Sequence, residues 1–246
     1  MLRNVYSILG FSLHASDGEI GKVKEFYFDD QSWMIRYLIV ETGNWLSYQK
    51  VLISPTAIVK IPREDGSFPV NLSKDQIRNS PDIDTDKPVS RQQEIELFGY
   101  YPWQPYWDNG FYTCGPMETS GSGPVSDRTI SLEINKDDRR ADDDLHLRST
   151  RKVTGYRIHA EDGEIGHVVD FIFDDQSWKL TYIVVITKNW VGNHRVIIPV
   201  EDVKSISWPD SEIRLNISME KVKHSRILNP SEFTHPEPKF ENELLG

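Results

Sequence analysis

The sequence is poor in cysteine and in long apolar runs. Its single cysteine, Cys114, cannot form a disulfide within the chain, which is typical of proteins kept in a reducing compartment. No apolar run approaches the roughly 18 residues of a membrane-spanning helix. The first residues also lack the continuous apolar stretch of a secretory signal. We therefore expect a cytoplasmic protein without an integral membrane segment.

The motifs of common enzymes are also missing. There is no Walker A sequence, no glycine-rich dinucleotide-binding sequence, no nucleophile elbow and no zinc-protease motif. The histidines are not spaced as zinc ligands. We therefore predict no catalytic residue and no cofactor, and a binding protein rather than an enzyme. A metal-dependent enzyme with a site outside these motifs is the alternative.

Positive charge is in deficit. The chain of 246 residues has 28 lysines and arginines against 38 aspartates and glutamates, a net charge of -10. About -6 of this falls on residues 84–150. An acidic surface repels phosphate backbones, which argues against nucleic-acid binding. A protein partner is compatible with this charge, and so is peripheral association with a membrane.

The strongest pattern in the sequence is an internal repeat. Residues 14–33 read HASDGEIGKVKEFYFDDQSW and residues 159–178 read HAEDGEIGHVVDFIFDDQSW. Residues 10–80 align with residues 155–225 without a gap, and about 28 of the 71 aligned positions are identical. Such self-similarity indicates two copies of one folding unit.

Within each copy the apolar residues alternate with a period of two, which predicts β-strands. Asp17-Gly18 is typical of a tight hairpin turn. Ser73 and Gln76 form a capping-box pattern that predicts a short helix at the end of the copy, and the second copy keeps only the serine, Ser218. The predicted strands of the first copy are 10–14, 20–28, 34–41, 50–54, 57–62 and 68–72. Six short strands favour a small closed barrel.

Both copies resemble the PRC-barrel family, named after the cytoplasmic domain of the photosynthetic reaction-centre H subunit. The resemblance rests on L-x-A-x-D-G-E-I-G-x-V-x-[DE]-F-x-F-D-D, then a tryptophan, a Y-[LI]-[IV]-V strand and an Asn-Trp loop. It implies a mainly all-β protein with two tandem six-stranded barrels, short helices, and an irregular aromatic and acidic connecting segment. We expect domains at 1–83 and 151–228, the connecting segment at 84–150 and a tail at 229–246.

The connecting segment contains an unusual aromatic run, YYPWQPYW at residues 100–107. Ser90 begins a second capping-box pattern, which predicts a helix through Phe98. The aromatic run either packs over a barrel, exposes a surface for a partner or lines a small-molecule pocket. Residues 113–150 are rich in Gly, Ser and Asp and are predicted to be flexible. The candidate partner-binding residues are Tyr100, Tyr101, Trp103, Tyr106 and Trp107, together with Trp45 and Trp190 in the matched loops of the two copies.

Acidic side chains recur at two turns of each copy. Turn formation explains Asp29-Asp30 and Asp174-Asp175, because aspartate bonds to nearby backbone amides. It also explains the first turn, although oxygen ligands suit calcium or magnesium and leave a cation site as an alternative. The weak metal candidates are Asp17, Glu19, Asp162 and Glu164. Neither turn has the spacing of an EF-hand loop.

Trp33 and Trp178 follow these acidic turns at matched positions. Large aromatic residues at equal places in two copies favour packing in the core or at a rim. If they are partly exposed, they would pair the two barrels about a pseudo-twofold axis. The alternative is a homodimer that forms through the aromatic arm.

Three functional hypotheses follow. The first is a non-enzymatic adaptor or scaffold that binds a protein partner or a membrane-associated assembly. The second, implied by the resemblance, is an accessory electron-transfer component that tunes proton uptake as the H subunit does. The third is the metal-dependent enzyme.

Overall fold

The computed structural model describes residues 1–59, 66–81, 89, 91–101, 103, 105–106, 147–187 and 195–228. Its strands are β1 (Leu2–Asn4), β2 (Ser12–Ala15), β3 (Gly18–Asp29), β4 (Ile35–Thr42), β5 (Lys50–Ile53), β6 (Ser67–Pro69), β7 (Leu147–Ser149), β8 (Arg157–Ala160), β9 (Gly163–Asp174), β10 (Lys179–Thr187), β11 (Arg195–Pro199), β12 (Val203–Ser207) and β13 (Glu212–Leu215). Its α-helices are α1 (Lys74–Arg78), α2 (Arg91–Tyr100), α3 (Thr150–Val153) and α4 (Met219–Lys223). The mainly β fold with short helices is confirmed. Over these residues, no helix combines the length and apolarity needed to cross a membrane.

Each copy forms one curled sheet with the same strand order. The first runs β5-β4-β3-β2-β6, and the second runs β11-β10-β9-β8-β13-β12. Neighbours are antiparallel except for the pairs β2–β6 and β8–β13. In the described residues, the outermost strands of each path do not pair with each other. The described strands of each copy therefore form a barrel-like curled sheet whose ends do not meet.

The fifth predicted strand of the first copy, 57–62, is not seen in its described part. A 3-10 turn occupies Pro55–Ala57, and Ile58 makes only an isolated bridge to Val70. Proline at the first helical position favours such a turn because its fixed backbone angle suits a helix. Residues 60–65 lie outside the described part. In the second copy the corresponding stretch does continue as a strand, β12.

The repeated GEIG sequence has a steric cause. A Cβ atom on Gly21 would lie 2.0 Å from the carbonyl oxygen of Glu41, and one on Gly166 would lie 1.9 Å from that of Ile186. Both distances are far below van der Waals contact. Only glycine therefore lets β3 approach β4, and β9 approach β10, at this point.

The two copies exchange their leading strands. β1 pairs with β9 of the second copy, and β7 pairs with β3 of the first. Arg3 lies opposite Phe173, and Arg148, 145 residues later, lies opposite Phe28. This corrects the predicted boundary of the connecting segment, because its end at 147–149 is a strand of the first sheet and is not flexible.

The hydrophobic core is continuous across the two copies. The ring of Phe26 lies 6.0 Å from that of Phe173, and the ring of Phe28 lies 5.7 Å from that of Phe171. These contacts are reciprocal, since Phe26 corresponds to Phe171 and Phe28 to Phe173. A unit of about 75 residues is near the lower limit for an independent core, which gives each copy a reason to share one.

The short helix after each sheet begins as the sequence predicts. Ser73 accepts a hydrogen bond from the Gln76 N–H (3.2 Å), and the Gln76 side chain accepts one from the Ser73 N–H (2.8 Å), which confirms the capping box. Ser218 accepts from the Lys221 N–H (3.3 Å). Lysine has no acceptor to return the bond, so the second cap is one-sided.

Candidate functional site

An acidic turn follows β3 in the first copy and β9 in the second. The first aspartate of each turn bonds to backbone groups of the turn itself. Asp29 accepts hydrogen bonds from the backbone N–H groups of Gln31 (2.9 Å) and Ser32 (3.0 Å). Burial disfavours the charged carboxylate, but these bonds and the nearby Arg36 outweigh it and lower the pKa of Asp29. Asp174 accepts from Gln176 N–H (3.2 Å) in the same way. Turn formation therefore explains the first aspartate of each pair.

The second aspartate of each turn joins the two copies. Asp30 is 2.5 Å from Arg148 of β7, and Asp175 is 2.6 Å from Arg3 of β1. Turn formation alone does not account for these residues, because their arginine partners lie on the strand that arrives from the other copy. Asp30 and Arg148 are both largely shielded from solvent, where a charge-assisted hydrogen bond is stronger than at an exposed site.

Trp33 and Trp178 lie where the two copies meet. The Ile35 N–H donates to Trp178 O, and the Leu180 N–H donates to Trp33 O, each at 2.8 Å. Both tryptophans have a positive φ, 60° and 58°, which bulky residues rarely adopt. Trp33 stacks on Phe28, as Trp178 does on Phe173. These reciprocal contacts relate the copies by a pseudo-twofold axis within one chain.

Asp170 adds a half-buried carboxyl group to this junction. Its carboxylate accepts from the backbone N–H of Tyr6 of the first copy (3.1 Å) and from the N–H of Phe171 (2.7 Å). Burial raises the pKa of Asp170 to about 7, although both hydrogen bonds and Arg195 act in the opposite sense. The junction therefore contains a carboxyl group that titrates near neutral pH.

The weak metal candidates have structural partners. Asp17 accepts from the Lys74 N–H (2.9 Å), and Asp162 accepts from the Met219 N–H (2.7 Å), both at the first residue of a short helix. Glu19 accepts from the Ser12 hydroxyl (2.9 Å), and Glu164 is exposed. Within the described ranges, no three His, Cys, Asp or Glu side chains are grouped to hold a metal. These turns anchor helices to hairpins.

Part of the aromatic run packs onto the first copy. Helix α2 continues to Tyr100, two residues beyond its predicted end, and Ser90 lies outside the described residues. Tyr101 is 1% exposed, and its ring stacks on Trp103 at 4.2 Å. Burial raises the pKa of Tyr101 to about 12. The packing interpretation is therefore correct for Tyr101, and Trp103 and Tyr106 are half-buried.

A buried glutamate, Glu94, holds this run to the sheet. It was not among the residues that the sequence indicated. Glu94 of α2 is 2% exposed and accepts from the hydroxyls of Tyr37 (2.8 Å) and Tyr106 (2.7 Å). Arg91 lies 2.8 Å from the same carboxylate, and Arg36 stacks over the Tyr106 ring at 3.7 Å. Burial raises the pKa of Glu94 although Arg91 favours its charged form. The available signal was Arg91, three residues before Glu94 on the predicted helix and shortly before the tyrosine-rich run.

Two of the remaining candidates, Trp45 and Tyr100, lie on the first copy together with three side chains that the sequence did not single out. We call this set the Trp45 surface: Trp45, Tyr48, Lys74, Arg78 and Tyr100. Tyr48 is 63% exposed and Tyr100 38% exposed. Lys74 Nζ and the Arg78 guanidinium lie 5.3 and 5.8 Å from the Trp45 ring centroid, within cation–π range. The Tyr100 hydroxyl donates to Gln76 O of α1 (2.7 Å). Trp107 and Trp190 lie outside the described residues.

The second copy does not repeat the chemistry of the Trp45 surface. Met219 occupies the position of Lys74, and Lys223 that of Arg78. The aromatic run follows only the first copy. The two copies therefore share their turns and their junction, and they differ in the side chains that this surface presents.

The curled sheets, the exchanged strands and the shared turns define a duplicated small-barrel protein. The sequence model of the PRC-barrel domain family matches residues 4–77 and 148–217. The chain therefore belongs to the PRC-barrel family, with two tandem copies of the domain. A search of curated proteins finds no significant match.

Proposed function

We propose that this PRC-barrel protein is a non-enzymatic adaptor that binds a protein partner, or a membrane-associated assembly, through the Trp45 surface. The observation that carries the proposal is the exposure of Tyr48 and Tyr100 on the copy that also presents a half-buried tryptophan, Trp45, with two cations near its ring. Tyrosine, tryptophan and arginine are enriched at the centres of protein interfaces.

The geometry of the surface supports a role in recognition. The Trp45 Nε1–H donates to Ile20 O (2.7 Å), which fixes the ring while one side stays accessible. Short helix α1 holds Lys74 and Arg78 in place through its capping box. A rigid aromatic anchor loses little conformational entropy on binding, so it contributes efficiently to affinity.

A cleft next to this surface offers a place for a partner's side chain. It has a volume of about 200 Å³ and lies between β5 and helices α1 and α2. Its lining includes Val51, Ile77, Arg78 and Leu97. The exposed lining is mostly polar and includes two basic side chains, Lys50 and Arg78, which suits a partner segment that presents an acidic residue.

Affinity purification of the full chain from its native cells tests the proposal. We expect a stoichiometric partner that is lost when Tyr48 and Tyr100 are both changed to alanine. The matched control is Val59→Ala, which removes another exposed apolar side chain, 66% exposed, on the same copy. Equal recovery with the double variant and with wild type, at unchanged thermal stability, would contradict the role of this surface.

A further inference from the structure

A second cleft lies where the two copies meet, and it is independent of the Trp45 surface. Its volume is about 290 Å³. One wall is the acidic turn of the first copy with Asp30, Gln31 and Trp33, and the other is strand β12 of the second copy. Arg148 of the exchanged strand β7 completes the lining. Neither copy could form this cleft alone.

Strand β12 is the last strand of its sheet, and its outer backbone groups face this cleft. The Arg157 N–H donates to Ser211 O (3.0 Å), so the carbonyl of Ser211 points towards β8. Because backbone groups alternate along a strand, those of Glu212 point the other way, towards its partner Ser207 on β12. The N–H and C=O of Ile206 therefore point away from β13. Ile206 and Ile213 therefore form a non-hydrogen-bonded pair, and in the part of the chain that the structure covers no turn or loop carbonyl accepts from the Ile206 N–H.

The side chains around this edge select for charge. Arg148 and Asp30 neutralise each other, while Lys204 is exposed and makes no ion pair with the described residues. The side chains that line the cleft therefore carry one positive charge in excess, although the chain as a whole has a net charge of -10. The Trp33 ring, which is 9% exposed, forms an aromatic part of the cleft lining. The combination suits a segment that alternates acidic and apolar side chains.

We propose that β12 is a docking edge for an extended acidic segment of a partner protein. The segment adds one strand to the second sheet, and its backbone pairs with Ile206. An apolar side chain enters the cleft beside Trp33, and a carboxylate pairs with Lys204. A second copy of this chain fits less well. Pairing two β12 strands would bring the Lys204 side chains of both copies together, and like charges on paired strands are unfavourable.

The test uses isotope-labelled full-length protein and three synthetic probes. The first is an acetylated hexapeptide of alternating glutamate and valine. The second replaces glutamate by lysine, and the third is the first peptide N-methylated at every residue, which blocks N–H donation along both edges of the strand. Amide chemical shifts and hydrogen exchange report binding at each residue of β12.

We expect rapid exchange of the Ile206 amide in the free protein and slowed exchange with the glutamate peptide. The lysine peptide and the N-methylated peptide should bind at least about tenfold more weakly, because each lacks one of the two recognition elements. Lys204→Glu should weaken binding of the glutamate peptide about fivefold. The matched control, Lys22→Glu, changes an exposed lysine at the far end of β3 and should leave binding unchanged.

Four results would overturn the docking edge. These are slow exchange of the Ile206 amide in the free monomer, no protection by the glutamate peptide, equal binding of the N-methylated peptide, and equal weakening by Lys22→Glu. Protection of Ile206 that grows with protein concentration alone would instead identify a second copy as the occupant and refute the acidic partner. None of these results depends on the Trp45 surface, so either proposal can fail alone.

Discussion

Asp170→Asn should change how the stability of the protein depends on pH. The carboxylate of Asp170 accepts backbone hydrogen bonds from Tyr6 and Phe171, and an asparagine oxygen can accept the same two bonds. The substitution therefore keeps the geometry of the junction and removes only the ability to ionise.

The magnitude follows from the pKa of Asp170, which burial raises from 3.8 to about 7. The folded state keeps the proton up to about pH 7, whereas the unfolded chain releases it near pH 3.8. Folding therefore takes up a proton between these values, and stability falls as pH rises through this window and is level above it. At about 1.4 kcal/mol per pKa unit the full shift corresponds to about 4 kcal/mol. Since Asp170 is only half-buried, we expect roughly 2 kcal/mol.

Urea denaturation at several pH values between 4 and 8 measures this effect. The difference between Asp170→Asn and wild type isolates the contribution of Asp170 from that of other carboxylates. We expect similar stabilities at pH 4 and an asparagine variant that is more stable by roughly 2 kcal/mol at pH 8. Parallel pH profiles for the two proteins would refute the burial argument, as would a variant that loses stability at pH 8.

Three further predictions concern the junction, the aromatic run and the hairpins. A double-mutant cycle with Asp30→Asn and Arg148→Gln should show a coupling of about 1–2 kcal/mol in urea denaturation, and additive effects would contradict the ion pair between the copies. Glu94→Ala should cost about 3–5 kcal/mol and reduce the near-ultraviolet circular dichroism of the aromatic run, because it removes the shared acceptor of the Tyr37 and Tyr106 hydroxyls and the carboxylate that pairs with Arg91; a loss below about 1 kcal/mol would show that Glu94 is not the anchor. Gly21→Ala and Gly166→Ala should each cost about 1–3 kcal/mol or more, measured by thermal unfolding, and a change within about 0.5 kcal/mol would disprove the close strand approach.

The predicted strands were most accurate where the signal is local. The second strand was predicted at 20–28 and is observed at Gly18–Asp29, and the third was predicted at 34–41 and is observed at Ile35–Thr42. Alternating apolar residues and hairpin turns are properties of adjacent residues. They therefore specify these elements before any tertiary contact forms.

The exchanged strands could not be predicted in this way. Each has only three residues, too few for a period, and its partner lies in the other copy. The same holds for Asp30 and Asp175, whose turn chemistry is visible in sequence while their arginine partners are not. The burial of Glu94 depends likewise on how α2 lies against Tyr37 of β4.

By itself, the sequence determined that this protein is a duplication, that each copy is a small β unit of the PRC-barrel type and where most turns and helix caps fall. These properties follow from periodicity, turn chemistry and self-similarity, which are written along the chain. Tertiary structure alone decided that the copies exchange strands, share one core and bury part of the aromatic run, so that the exposed residues lie on one copy. The exchanged strands and the shared core depend on contacts between residues more than 100 positions apart, because a unit of this size buries enough apolar surface only by packing against its duplicate. The burial of the aromatic run depends on contacts within the first copy, such as that of Glu94 with Tyr37, 57 positions apart.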